Sequence, residues 1–371
     1  PSSEIEVAAI LSETKQPLSV AGGNTRVLVP SGSKIISTSK LSGVIDYEPG
    51  ALTMIAKAGT PLSEIQKTLA SEGQCLAFDP YNWSRFLNKK GSSTIGGVFA
   101  ANVSGSSRLR VGAARDFLLG IRLVDGLGNI IQNGGRVMKN VTGYDLVKLF
   151  AGSWGTLGIL TEVSFKVLPK PETEATIVIH GLDDQLALDA MIDATATPFD
   201  VSGLSHFPKQ KETMIRVEGF ENSVKYRVER LMEIVKKYGE INTLDADKSM
   251  QVWRNISLLS SLKSNNDDLW RLSVKPTAST QIVQKTKFND YFYDWGGGLI
   301  WGLASPNQDV REHVPAGSGH GTCLLTKSKK IPMFHPYDGT IYGIKEGIRK
   351  SFDPKQILSL IHISEPTRPS S

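Results

Sequence analysis

Ser93-Thr-Ile-Gly-Gly-Val-Phe-Ala-Ala-Asn-Val-Ser-Gly105 opens a run of small residues that ends at Arg115-Asp116. It is the middle of three glycine-rich pieces. Val20-Ala-Gly-Gly-Asn-Thr-Arg26 precedes it, between two apolar runs. Lys139-Asn-Val-Thr-Gly-Tyr-Asp-Leu146 comes after it, continuing to Ala151-Gly-Ser-Trp-Gly-Thr-Leu-Gly-Ile-Leu-Thr-Glu162. Each falls where a strand is expected to end. One glycine loop is an ordinary turn, but three in series point to a backbone that touches one large ligand. A diphosphate is best held by backbone N–H groups pointing inward, and that approach favours residues without a Cβ.

Outward from these loops the chain alternates short elements. A helix is expected over residues 5–14 and strands at Leu18 to Val20, Val27 to Pro30, Val44 to Tyr47 and Leu52 to Lys57. Thr60 reads as a helix cap with Pro61 in the first turn, and Leu62, Ile65, Leu69 and Ala70 form the apolar stripe. Ile121 to Asp125 and Ile130-Ile131 make a hairpin, Leu160 to Val167 a strand, and Pro169-Lys-Pro171 a domain boundary. Beyond it, strands at Thr176 to His180, Ile215 to Glu218, Leu269 to Val274 and Leu299 to Leu303 are interleaved with helices at Leu182 to Ala194 and Ser223 to Tyr238. The fold class is α+β: two α/β subdomains over 1–170, then an α+β cap over 171–358. Residues 359–371 share no periodicity with the preceding chain and resemble translated adapter sequence, so they carry no weight in the fold.

The bulk numbers exclude more than they assign. With 371 residues, 40% hydrophobic and 21% charged, the chain has an ordinary globular composition. Cys75 and Cys323 are too few for a disulfide framework and lack metal-ligand spacing, so a reducing compartment and no metal site are expected. A net charge of +5 without aromatic interleaving excludes a nucleic-acid groove. Pro1-Ser-Ser-Glu-Ile-Glu carries acid where a basic leader belongs, and Leu146 to Leu168 is too interrupted to span a bilayer. A P-loop, a dinucleotide G-x-G-x-x-G and a nucleophile elbow are all missing.

Residues 20–168 resemble the flavin-binding domain of the family shared by vanillyl-alcohol oxidase and para-cresol methylhydroxylase. The resemblance implies FAD. It places Val20, Ala21, Gly22, Gly23, Asn24, Thr25 and Arg26 at the diphosphate. Asp79, Pro80, Ser93, Thr94, Ile95, Gly96, Gly97, Asn102 and Gly105 would line flavin and phosphates, and Gly155, Thr156, Gly158 and Ile159 would reach adenosine and ring. Arg115 and Asp116, closing the small-residue run, are counted with them. The family often attaches FAD through a first-loop histidine; Asn24 stands there, so a non-covalent flavin is expected.

A narrower resemblance runs through Val137 to Leu146, Leu269-Trp-Arg-Leu-Ser-Val274, Asp294-Trp-Gly-Gly297 and Gly319-His320. These look like the FAD-binding subunits of bacterial glycolate oxidase. That likeness implies oxidation of glycolate or a similar D-2-hydroxy acid within a complex. The implied partners are a hydroxyacid-oxidising flavoprotein subunit and an iron–sulfur subunit. The implied location is cytoplasmic, peripheral at the inner membrane through the complex. Arg271 is the candidate carboxylate clamp. His320 is the other candidate catalytic residue, although the acidic run that succeeds a metal-binding histidine in related dehydrogenases is missing. Two alternatives stay open: a flavin-holding relay or scaffold that oxidises nothing itself, and a stand-alone D-lactate-type dehydrogenase.

Overall fold

The structure is a computed structural model that describes residues 1–26, 34–88, 91–135, 143–263, 266–326, 328, 331–337 and 339–358. The expected strand at Val27 to Pro30, most of the Val137 to Leu146 motif and the tail lie outside these residues. The chain forms two compact units. The first holds 1–103, 113–170 and 336 onward; the second holds 104–112 and 171–335. The expected cut near Pro171 is therefore accompanied by two further crossings. The segment 104–112 joins the second unit because its polar groups bond there: Ser106 donates to Asp294 and Ser107 accepts from Arg216. The helix Gly339–Phe352 joins the first, where Phe352 meets the Phe150 ring edge-on at 5.1 Å and its carbonyl accepts from Gly126.

In the first unit, five antiparallel strands lie in the order Val44–Glu48, Thr53–Lys57, Ile159–Lys166, Leu118–Val124 and Ile130–Gly134. A parallel pair, Leu18–Ala21 with Lys34–Ser37, stands apart. Its apolar side packs Val7 and Leu11 of the helix Glu4–Glu13 against Ile36, Val124 and Ile159. That helix starts where Ser3 accepts from the Glu6 amide, and Glu4 pairs with Arg122 at 2.5 Å, fixing helix to strand. The next helix is Leu62–Ser71, with Pro61 at the cap. Thr60 does not cap it. Its hydroxyl is committed to the Lys57 and Gly43 carbonyls, and only Ile65 and Leu69 of the expected stripe are fully buried.

The second unit is an eight-stranded antiparallel sheet. From one edge its strands are Ile241–Leu244, Thr173–His180, Glu212–Gly219, Gly203–Phe207, Asp290–Asp294, Leu299–Ala304, Asp268–Val274 and Gly319–Leu325. Ile177 and Ile179 pack under the helices Asp184–Thr195 and Glu221–Val235. The alternate residue Thr176 faces Ser249 and Trp253 of the helix Ala246–Ser257, as the pleat requires. Helices interspersed with two antiparallel sheets, one in each unit, confirm the α+β class.

Candidate functional site

Two sites form, one in each unit, and they are built differently. In the first unit a cleft with about 760 Å3 of non-atom space, part of it open solvent, is lined by all of Val20 to Arg26. Thr94, Gly96, Gly97, Gly155, Gly158 and Ile159 line it too. The loops that make it touch backbone to backbone. A Cβ on Gly23 would lie 1.5 Å from the Ser92 carbonyl oxygen, and one on Gly91 would lie 1.8 Å from the Gly23 oxygen. A Cβ on Gly22 would meet the Thr94 hydroxyl at 2.4 Å, and one on Gly96 would meet the Ala58 Cβ at 2.5 Å. Gly22, Gly23 and Gly91 thus lack side chains so that the two loops can close on each other, and Gly96 lets its helical turn close on Ala58 at the end of the strand Thr53–Lys57. Gly23 is not in the left-handed region; the left-handed residue is Asn24, at φ 54°.

Among the described residues, two polar atoms of cleft residues are buried without a hydrogen-bond partner: Asn24 Oδ1 and Arg26 Nη2. Arg26 lies over the Trp83 ring at 4.6 Å, and burial pushes its guanidinium down to a pKa of about 9. A buried cation with an unmet N–H calls for an anion beside it. The loops, the unmet N–H and the volume fit a diphosphate-bearing cofactor such as FAD. Sequence reasoning missed Thr38, Ala58, Ala100, Ala101, Trp154 and Leu160, which also line the cleft.

The remaining expected cofactor residues are not in the lining. Ser93 bonds Thr25 at 3.0 Å, holding the two loops together. Ile95 is fully buried core. Asp79 is left-handed at φ 40° and leads into Pro80 beside the Tyr81 carbonyl that Arg26 grips. The Asn102 side chain accepts from the Arg115 amide at 3.0 Å, and Asp116 accepts from the Ala113 amide at 2.8 Å. The Thr156 hydroxyl donates to the Ser153 carbonyl. Gly105 lies in the second unit, where its carbonyl accepts from Trp295 Nε1 at 2.8 Å.

The second site is made of side chains. Arg271 pairs across the sheet with Thr322, and Ser273 pairs with His320, so these four residues share a face. Trp295 anchors the group. Its amide donates to Asp294 Oδ1 at 2.7 Å, and the buried Asp294 also accepts from Ser106 at 2.7 Å. The guanidinium carbons of Arg108 and Arg271 lie 4.5 and 5.1 Å from the Trp295 ring centre. Desolvation by its surroundings, then the charges of Arg271, His335 and Arg108, hold the His320 imidazole below its ordinary range, although the residue keeps an exposed edge. It is therefore neutral near pH 7 and competent to accept a proton. The structure thus brings the two expected catalytic residues together and adds Arg108 and Trp295 to them.

Comparison with known proteins bears on the first unit and then on the whole chain. A family model described as an FAD binding domain matches residues 1–134. Over 345 residues the chain is 32% identical to the glycolate oxidase subunit GlcE of Escherichia coli strain K12, covering 92% of this chain and 90% of that protein. The chain belongs to the GlcE family of FAD-binding oxidoreductases. GlcD, a glycolate oxidase subunit of Bacillus subtilis, is 29% identical over 65% of the chain, a match spanning 50% of GlcD itself. Among solved structures, a chitooligosaccharide oxidase superposes with a TM-score of 0.68 at 13% identity, covering 99% of this chain and 91% of that one. An alkyldihydroxyacetonephosphate synthase gives 0.67 at 15%, covering 96% and 75%. Both show that the GlcE fold is shared with enzymes of other activities. No helix among the described residues is long and apolar enough to cross a membrane.

Proposed function

We propose that this chain is the FAD-binding subunit of a glycolate oxidase-type complex. In this reading it oxidises glycolate or a similar D-2-hydroxy acid to the 2-oxo acid and passes electrons to an iron–sulfur subunit. The supporting observation is identity to GlcE sustained over nine-tenths of both proteins. FAD, when bound, supplies the acceptor for the hydride leaving C2. The residues of the chain do the rest. The backbone of Gly22 to Thr25 and the buried Arg26 hold the diphosphate, and the Asn24 amide offers no ring nitrogen for a covalent bond. Arg271 clamps the substrate carboxylate, which fixes the position of C2. His320, held neutral, accepts the hydroxyl proton.

The test is anaerobic addition of glycolate or D-lactate to the purified, FAD-loaded chain, alone and with its co-expressed neighbours, while flavin absorbance is followed. Bleaching in the isolated chain, and copurification of an iron–sulfur protein, support the reading. Bleaching only after the neighbours are added would assign the chain a relay role. No bleaching in either sample would remove 2-hydroxy acids from its chemistry.

A further inference from the structure

We propose that Arg108 is a second carboxylate-reading residue, forming with Arg271 a two-guanidinium clamp around Trp295. The inference rests on the 2-hydroxy acid reading and adds a residue that confers specificity. Four separate pieces of chain supply the cluster: the segment 104–112, the strand Asp268–Val274, the turn Trp295–Gly297 and the strand Gly319–Leu325. One indole carries both guanidinium groups, and His320 feels the charge of both. A guanidinium stacked on an aromatic ring keeps its N–H fork in its own plane, where it can meet a carboxylate edge to edge. The acid at the base of the cluster, Asp294, already accepts from the Ser106 hydroxyl and the Trp295 amide.

A purely structural role would make Arg108 the fastener of its segment, but fasteners are already present on either side. The Gly105 carbonyl accepts from Trp295, and the Ser107 hydroxyl accepts from the buried Arg216 at 2.7 Å. Arg110 pairs with Asp200 at 2.8 Å. With Ser106 on Asp294, the residues flanking Arg108 also tie the segment to the rest of the unit.

The experiment uses the full chain loaded with FAD and titrates it calorimetrically with oxalate, a non-oxidisable mimic of glycolate. Arg108→Gln is expected to raise the oxalate Kd by about tenfold with flavin content and Tm unchanged, the loss typical of one charge-assisted hydrogen bond. Arg108→Lys is expected to recover part of the affinity, and added guanidinium ion is expected to rescue Arg108→Ala. An unchanged Kd in Arg108→Gln beside a wild type that binds oxalate overturns this inference and leaves the 2-hydroxy acid reading standing. A wild type that binds neither oxalate nor glycolate overturns both. A weaker Kd that comes only with lost flavin or lowered Tm also overturns it, since Arg108 would then be a fastener.

Discussion

In the proposed function the cleft of the first unit and the cluster of the second answer the same demand, holding an anion, by opposite means. The cleft is built from backbone: Gly22 and Gly23 let two loops close on each other, Gly96 closes on Ala58, and one buried arginine is part of the lining. The cluster is built from side chains gathered around Trp295. A backbone site is fixed by where side chains are missing, so it tolerates no added carbon. A side-chain site is fixed by which groups are present, so it fails by degrees.

The largest effect expected from this contrast is at Gly23. Gly23→Val places a branched side chain on the Ser92 carbonyl, an overlap at or beyond the usual overpacking cost of about 3 kcal/mol, or about a hundredfold in flavin occupancy. The ratio of flavin to protein absorbance measures it, with circular dichroism to confirm that the rest of the chain is folded. Full occupancy in the variant would mean that the loops do not enclose the cofactor.

Next is Arg271. Arg271→Ala removes a charged partner worth about 1.5–3 kcal/mol, so KM for glycolate should rise about 10- to 100-fold while flavin content stays constant. Steady-state kinetics on the assembled complex reads this directly. An unchanged KM would take the carboxylate away from Arg271.

Arg26→Met sharpens the comparison from the other side. FAD affinity should fall about tenfold through loss of the cation. The Tm of the flavin-free chain should hold or rise, because a buried charge with an unmet N–H is exchanged for an apolar side chain. A fall in flavin-free Tm would show that Arg26 stabilises the fold instead of the ligand.

The smallest effect is pH dependence at the cluster. The folded pKa of His320 is depressed below that of the unfolded chain. The unfolded state therefore binds the proton more readily, and stability falls as pH drops below the ordinary histidine value of about 6.5. Carboxylate affinity should move the other way and rise a few-fold as His320 gains charge. In His320→Gln both trends should shrink, which thermal melts and oxalate titrations between about pH 5 and 8 would show.

The same contrast explains what the sequence discloses. Gly22, Gly23, Gly96 and Gly97 announce themselves as a pattern because close backbone approach demands glycine wherever it occurs. They lie on loops beside short strands whose alternation is readable. The pattern does not say what the missing Cβ makes room for: it points Gly23 at the ligand, whereas the space a Cβ on Gly23 would take is filled by the Ser92 carbonyl. Gly105 sits in a small-residue run that reads alike whether it lines a ligand or crosses between units. Its true partner, Trp295, is 190 residues away. Arg108 carries no signal for the same reason: only tertiary contact sets it beside Trp295 and Arg271. The strand Gly203–Phe207 is illegible because all five residues are buried, leaving no alternation to detect. The strand Gly319–Leu325 begins with a glycine and an exposed histidine, residue types that suggest a loop.

The most direct measurement is acid precipitation of the purified chain, with flavin assayed in both fractions. A cleft made of backbone and Arg26, with Asn24 at the attachment position, predicts that the yellow colour appears entirely in the supernatant, as FAD, in an amount stoichiometric with the chain. Flavin left on the denatured polypeptide, or no flavin in either fraction, would contradict the account.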